Sequence, residues 1–469
     1  MRTIFSLLIC LLTVHSNYCQ PDSWSGPSVD LDHGRLAVSD NHRYLVFEDG
    51  TPFFYLGDTG WELFHRLTPE ETEKYLENRR SKGFTVIQAV ILAEQDGLNI
   101  PNMNGDKPLI DNDPLQPNEK YFKHVDLVIR KAAEKGLFIG LLPTWGDKVD
   151  RYTWGIGPEI FTPENAFAYG KWLGERYRDF PNIIWINGGD RAGGGENYPV
   201  WEALGKGIKS ADPNHLMTYH PWGEHSSSEW FHNSDWLDFN MMQTGHGQRS
   251  YSIYQKLMTA DYARNPVKPC MDGEPRYEDH PVGWQPEIRG WFNDYDIRKA
   301  VYWGVFTGGH GTTYGCHPIW QFLIPGREPV SFARNYWYDV LDLPGASQLI
   351  HLRRLVESRD FLSREPYPDL VLNKRMTEDD YIVASKGKDY AFIYIPTGSP
   401  TQINLNLLGT EQVKAWWYDP RTGEATEIGI IPGKGIKEFN PPASGRGNDW
   451  VLVLEAADAG YEKPGFFKK

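Results

Sequence analysis

Cysteine is scarce in this chain: 469 residues carry four. Cys10 and Cys19 fall in the N-terminal leader, which leaves Cys270 and Cys316. Two cysteines build neither a disulfide scaffold nor a zinc site, and the pair reads as buried and free. Positive charge is also in deficit. Lys and Arg number 48 against 62 Asp and Glu, a formal net charge of -14. No basic field exists to hold phosphates, which excludes nucleic acid and anionic membrane surfaces as partners. Long hydrophobic runs are missing after the leader, so no membrane insertion is expected. Motifs of other chemistries are absent too. There is no GxSxG elbow, no HExxH or HxH pair, and no glycine-rich turn with the Lys of a phosphate loop.

What the chain has in plenty is rings. Aromatic residues make up 14%, with 18 Trp and 25 Tyr beside 46 Gly and 33 Pro. That mix suits loops, strands and surfaces on which sugars stack more than a helix-rich fold. The start, MRTIFSLLICLLTVHSNYCQ, puts Arg2 before an apolar stretch from Ile4 to Val14 and a short polar segment. It reads as a signal peptide over 1–19, cut after Cys19, and predicts export across the inner membrane to the periplasm or cell surface. The remaining length suits one large catalytic fold plus an accessory module.

From Tyr44 to about Gly345, short apolar runs alternate with amphipathic stretches. Eight runs read as buried strands: FFYLGDT (53–59), FTVIQAVIL (84–92), LFIGLLPTW (137–145), NIIWINGGD (182–190), HLMTYHPW (215–222), LDFNMMQTG (237–245), VKPCMDGE (267–274) and VYWGVFTGGHG (301–311). Helical patterns lie between most of them. TPEETEKYLENRRSKG offers Thr68 as cap, Pro69 at the first helical position and Glu71 for a capping box. This alternation predicts an α/β fold, a (β/α)8 TIM barrel over 44–345. The aperiodic segment 94–120, rich in Asn, Asp and Pro, follows the second strand and is expected to shape a cleft. Residues 346–365 read as a connecting helix. Over 366–469 strands alternate with turns, which predicts an antiparallel β-sandwich domain. Residues 20–43 are an extension expected to wrap the barrel or lend a strand to the sandwich. The pattern does not indicate an oligomeric state.

In such a barrel, polar residues at the C-terminal strand ends carry function. The ends present Asp58 and Trp61, Gln88 and Glu94, Trp145 and Asp147, Asn187 and Asp190, His220 and Trp222, Gln243 and His246, Asp272 and Glu274, and His310 and Tyr314. Carboxylates, imidazoles and rings around one opening suit glycoside hydrolysis. That reaction needs one protonated acid and one carboxylate that attacks or activates water, and no cofactor. Asp190 and Glu274 lead as the catalytic pair; 84 residues separate them, which sets them across the barrel mouth. Asp58, Trp61, Gln88, Trp145, Asn187, His220, Trp222, Gln243, Asp272 and His310 are expected to bind substrate. Asp272 is also a candidate orienter of Glu274 or an alternative catalytic residue. A distributed zinc site from His220, Asp58, His246, His310 and Asp272 lacks supporting spacing, so no metal is expected. The alternative functions are a non-catalytic carbohydrate-binding surface protein and a glycosidase of different sugar specificity.

The run YLVFEDGTPFFYLGDTGWELFHRLTPEE (44–71), with FTVIQAVIL, PNIIWINGGD, FNMMQTGH, CMDGEPRYE and TGGHGTTYG, resembles the DUF4038 barrel family. The AWWYDPRTGE region resembles a small β domain named for collagen binding. Together, over about 430 residues, the chain resembles glycoside hydrolase family 140, the apiosidases. The resemblance implies removal of D-apiose linkages from a plant cell-wall polysaccharide, the branched pectin rhamnogalacturonan-II. It also implies Asp190 as acid/base and Glu274 as nucleophile. Many related barrels carry an Asn-Glu pair at this strand, whereas here the line reads Asn187-Gly188-Gly189-Asp190.

Overall fold

The computed structural model describes residues 23–373 and 379–466. The expected signal peptide lies outside the described residues. Eight parallel strands form the centre: β1 (Tyr55–Thr59), β2 (Val86–Leu92), β3 (Phe138–Thr144), β4 (Ile183–Gly188), β5 (Met217–His220), β6 (Asn240–Gln243), β7 (Cys270–Asp272) and β8 (Gly311–Tyr314). They are hydrogen-bonded in the order β5-β4-β3-β2-β1-β8-β7-β6, and a short antiparallel piece, His225–Ser226, adds a ninth strand on β6. The remaining gap, between β5 and β6, is bridged by Asp238 N–H to Met217 O (2.8 Å) and by Thr218 Oγ1 to Phe239 O (2.7 Å). The sheet is therefore a nearly closed barrel.

Helices pack outside it where the local chemistry starts and stops them. The helix Pro69–Ser81 has Thr68 and Glu71 in a reciprocal capping box and Pro at its first position. The helix Pro163–Tyr177 repeats the device with Thr162 and Asn165. The helix Glu119–Glu134 is followed by Gly136 at φ +66, where a Cβ would stand 2.2 Å from Val29 O. Only glycine fits that turn.

One expected strand is a helix. VYWGVF belongs to the helix Asp294–Phe306, and β8 begins only at Gly311. Every residue from Tyr295 to Phe306 is buried. The helix lies between the barrel and the C-terminal domain, with Tyr302 stacked on Tyr394 (4.8 Å) and Phe306 on Phe392 (5.6 Å). A helix covered all round loses its amphipathic period and reads as an apolar run.

The extension wraps the barrel rather than joining the other domain. Trp24 N–H, Ser28 N–H and Val29 N–H donate to Ser81 O, Lys135 O and Gly136 O, on the turns that precede β2 and β3. A small antiparallel sheet follows, Leu36–Val38, Leu45–Phe47 and Pro52–Phe53. Its Phe47 and Phe53 rings meet Phe138 at 6.2 and 5.2 Å and plug the bottom of the barrel.

The C-terminal domain is one six-stranded antiparallel sheet with a two-stranded ribbon, Thr401–Asn404 and Ile436–Phe439. Its residues alternate between two cores. Phe392, Tyr394 and Val453 face the barrel side, whereas Ala391, Ile393 and Leu452 pack with Ile403 and Phe439 of the ribbon. The second layer of the expected sandwich is thus only a ribbon, because the barrel covers the other face. The connecting helix spans Pro344–Glu357. Cys270 and Cys316 are both buried and free. Among the described residues no helix is long and apolar enough to cross a membrane.

Candidate active site

The C-terminal strand ends surround a cavity of about 900 Å³. β4 delivers the first carboxyl through a turn that only glycines can make. Gly188 and Gly189 have φ +89 and +122. A Cβ on Gly188 would stand 2.5 Å from His220 O, and one on Gly189 about 3.0 Å from the Trp145 ring and its backbone. The turn therefore threads between the ends of β3 and β5 and sets Asp190, itself at φ +56, on the cavity wall. Asp190 is half-buried, and its Oδ2 accepts the Trp154 indole N–H at 2.8 Å. Burial first, and the nearby Glu274 charge second, push its carboxyl up to about 6.

Glu274 follows β7. Its carbonyl accepts Gly245 N–H (3.0 Å), and its amide reaches toward Asp272 Oδ1 (3.3 Å). His246 Nε2 is 3.0 Å from Oε1. His220 Nε2 is 3.0 Å from Oε2. Burial alone would push the Glu274 carboxyl up. The two imidazoles outweigh it and hold the group at about 2. The Asp190 N–H donates to His220 Nδ1 at 3.4 Å, which assigns the His220 proton to Nε2, facing Glu274. Below about pH 6 Asp190 thus carries a proton that it can give while Glu274 in the same cavity stays ionised.

The other expected residues divide. Trp61, Trp145, Trp222 and Gln243 line the cavity. His220 is fully buried behind Glu274, with its ring 5.3 Å from Trp61 and 5.9 Å from Trp145. Asp272 accepts Thr244 Oγ1–H (2.6 Å) and Tyr254 O–H (3.0 Å) and supports the Glu274 backbone rather than facing the cavity. His220 and Asp272 therefore do not meet the substrate as expected, and four further expectations are corrected. Asp58 is taken up by Arg79 and the Tyr75 hydroxyl on the outer helix. Gln88 spans the barrel interior to Gly273 O (3.1 Å) and Thr313 Oγ1 (2.7 Å). Asn187 Nδ2 donates to Trp201 O (2.8 Å) and its Oδ1 receives Gly188 N–H, shaping the glycine turn. His310 precedes β8 and so lies at the opposite end of that strand, between Tyr55 and Phe239. Burial holds its imidazole down at about 3, in the neutral form.

Several cavity residues escaped the strand-end reading. Tyr277 and His280 follow Glu274 in GEPRYEDH. Tyr277 O–H receives the Trp61 indole N–H (2.9 Å), and its ring lies 4.4 Å from His246. Trp154 and Trp284 are exposed rings on loops beyond the strand ends, 41% and 50% accessible. Their only signal in the sequence is a tryptophan in a βα loop. Of the long insertion 94–120, the cavity is lined by Glu94 and Gln95.

A barrel mouth that holds a protonatable and an ionised carboxyl among indole rings is built for cleaving bonds between sugars, and the protein is a glycoside hydrolase. The family model "Apiosidase-like, catalytic domain" matches residues 39–363, and the chain belongs to that family. A second model, "Putative collagen-binding domain of a collagenase", matches residues 366–455. A solved structure named "Glycoside hydrolase" is 36% identical, with 92% of this chain and 99% of that one covered and a TM-score of 0.85. A glycoside hydrolase family 5 structure from Bacteroides vulgatus ATCC 8482 is 34% identical, covering 93% and 96%, with a TM-score of 0.87. A structure from that organism titled "putative glycoside hydrolase" shares the fold at 16% identity, covering 91% and 83%, with a TM-score of 0.63. No match is found among curated proteins.

Proposed function

We propose that the chain is an apiosidase of glycoside hydrolase family 140 that removes D-apiose linkages from the pectin rhamnogalacturonan-II. We infer further that it is exported and works in the periplasm or at the cell surface. The observation that carries the chemistry is the opposite tuning of Asp190 and Glu274 in one cavity. Asp190 gives its proton to the oxygen of the leaving group. Glu274, kept ionised by His220 and His246, attacks the anomeric carbon. Asp190, now a carboxylate, then takes a proton from the water that releases the sugar. The apiose assignment is supported by the family match over the barrel.

The test is turnover of a pectic oligosaccharide bearing apiose. Asp190→Ala and Glu274→Ala should each lower kcat by about 100-fold or more while the circular dichroism of the fold is unchanged. A mutant with full activity removes that residue from the mechanism. Activity needs Asp190 protonated and Glu274 ionised. The wild-type rate should therefore fall as pH rises through about 6, where Asp190 ionises. On the acid side Glu274 should remain charged down to about 2.

A further inference from the structure

The loop after β3 is fastened with unusual care. Asp147 Oδ2 accepts the amides of Ile156 (3.2 Å) and Gly157 (2.9 Å). Gly155 sits at φ +112, where a Cβ would stand 2.3 Å from Asp147 Cβ. Arg191 donates from Nε to Asp150 O (2.7 Å) and from Nη2 to Trp154 O, and its guanidinium lies 4.8 Å from the Trp154 ring centroid. All of this fixes one side chain. Trp154 Nε1–H meets Asp190 Oδ2, and the Trp154 ring stacks beside Trp222 at 6.1 Å and 25° along the cavity.

We propose that Trp154 is the positioning residue for Asp190 and, with Trp222, the shelf for the sugar on the leaving side of the cleaved bond. This rests on the reading of Asp190 as the acid. A hydrogen bond donated to Oδ2 favours keeping that oxygen unprotonated, so the transferable proton sits on Oδ1. The acid serves the leaving oxygen, so the ring bonded to the acid borders the leaving group. An indole face suits the apolar face of a pyranose. The ionisable groups around Asp190 are Glu274, His220, His246 and Glu94 from other strand ends, with Arg191 beside it. Trp154 supplies the side-chain hydrogen bond that orients it.

Trp154→Phe keeps a ring and removes the donor, and Trp222→Ala removes part of the shelf. The Asp190 titration is read by carbon-13 NMR of labelled Asp carboxyls, assigned with Asp190→Asn, and so does not depend on any substrate. In Trp154→Phe it should rise by about one pH unit, and the alkaline limb of activity should rise with it. The kcat/KM on a pectic oligosaccharide should fall about 10- to 100-fold, whereas on a nitrophenyl apioside, whose leaving group needs no proton, kcat/KM should fall far less and the loss should appear in kcat, because Asp190 still has to activate the water of the second step. Trp222→Ala should raise KM for the oligosaccharide and leave the titration in place. An unmoved Asp190 titration in Trp154→Phe overturns the proposal. An Asp190→Asn enzyme that still cleaves the oligosaccharide overturns the reading of Asp190 instead, and the titration still reports on the contact.

Discussion

Glu94 is the residue that most resembles a rival to Asp190. It lines the same cavity, and burial, with Asp147 and Asp190 adding to it, pushes its carboxyl up to about 8. Its backbone is pinned, since Lys148 Nζ donates to Ala93 O (2.7 Å) and Gln95 N–H donates to Glu62 Oε1 (3.0 Å). A carboxyl neutral near pH 6 is closely mimicked by an amide. Glu94→Gln should therefore keep kcat/KM within about threefold at pH 5.5, whereas Asp190→Asn should lose about 100-fold or more. The reverse ranking in that assay would make Glu94 the proton donor. Strand-end position brought both residues to notice, because loops at that end of a barrel converge. It did not separate them, because the tuning comes from burial and from charges on other strand ends, Glu274 for Asp190 and Asp147 for Glu94.

At the scale of the element, the barrel was legible because its strands are apolar runs and its helices carry their caps. The places where that reading slipped have one cause, which is burial from an unexpected side. The helix Asp294–Phe306 is covered by the barrel and by a second domain, so its sequence resembles a strand. Taking VYWGVF as the eighth strand puts His310 at its C-terminal end, and the true start of β8 at Gly311 moves it to the other end. Asp58 shows the same ambiguity on a smaller scale. A residue near a strand end can point into the barrel or out to a helix, and Asp58 points out, to Arg79 and Tyr75, with no exposure of either charged side chain. Asp58→Ala would strand the Arg79 charge in the core and should cost about 3–5 kcal/mol in urea unfolding. Its KM should match the wild type if it still folds at the assay temperature. A raised KM at unchanged stability would return Asp58 to the substrate.

At the scale of the whole molecule, the two domains share structure that reaches the cavity. The fully buried Asp296 sits on the helix between them. It accepts Arg446 Nη2 from the C-terminal domain at 3.0 Å on both oxygens, and Arg249 Nε from the loop after β6 at 3.2 Å. That loop carries His246, one of the two groups holding Glu274 ionised. Arg276, two residues past Glu274, grips the same loop through Gln248 O (2.9 Å) and Ser250 O (3.1 Å). Farther along the helix Arg298 pairs with the buried Asp449 of the C-terminal domain at 2.8 Å. The C-terminal domain is then a brace for one wall of the active site as well as a cover for an apolar helix. Arg446 is half exposed, so its removal should change global stability by no more than about 1 kcal/mol. Arg446→Ala should nonetheless lower kcat/KM several-fold, because Asp296, left with Arg249 and the Asn293 amide, is held less firmly and the His246 loop loosens. The acid limb of activity should move to higher pH in the same variant, since a Glu274 less firmly held by His246 binds its proton more readily. An appended domain with no part in the site would leave both the rate and the limb where they are in the wild type.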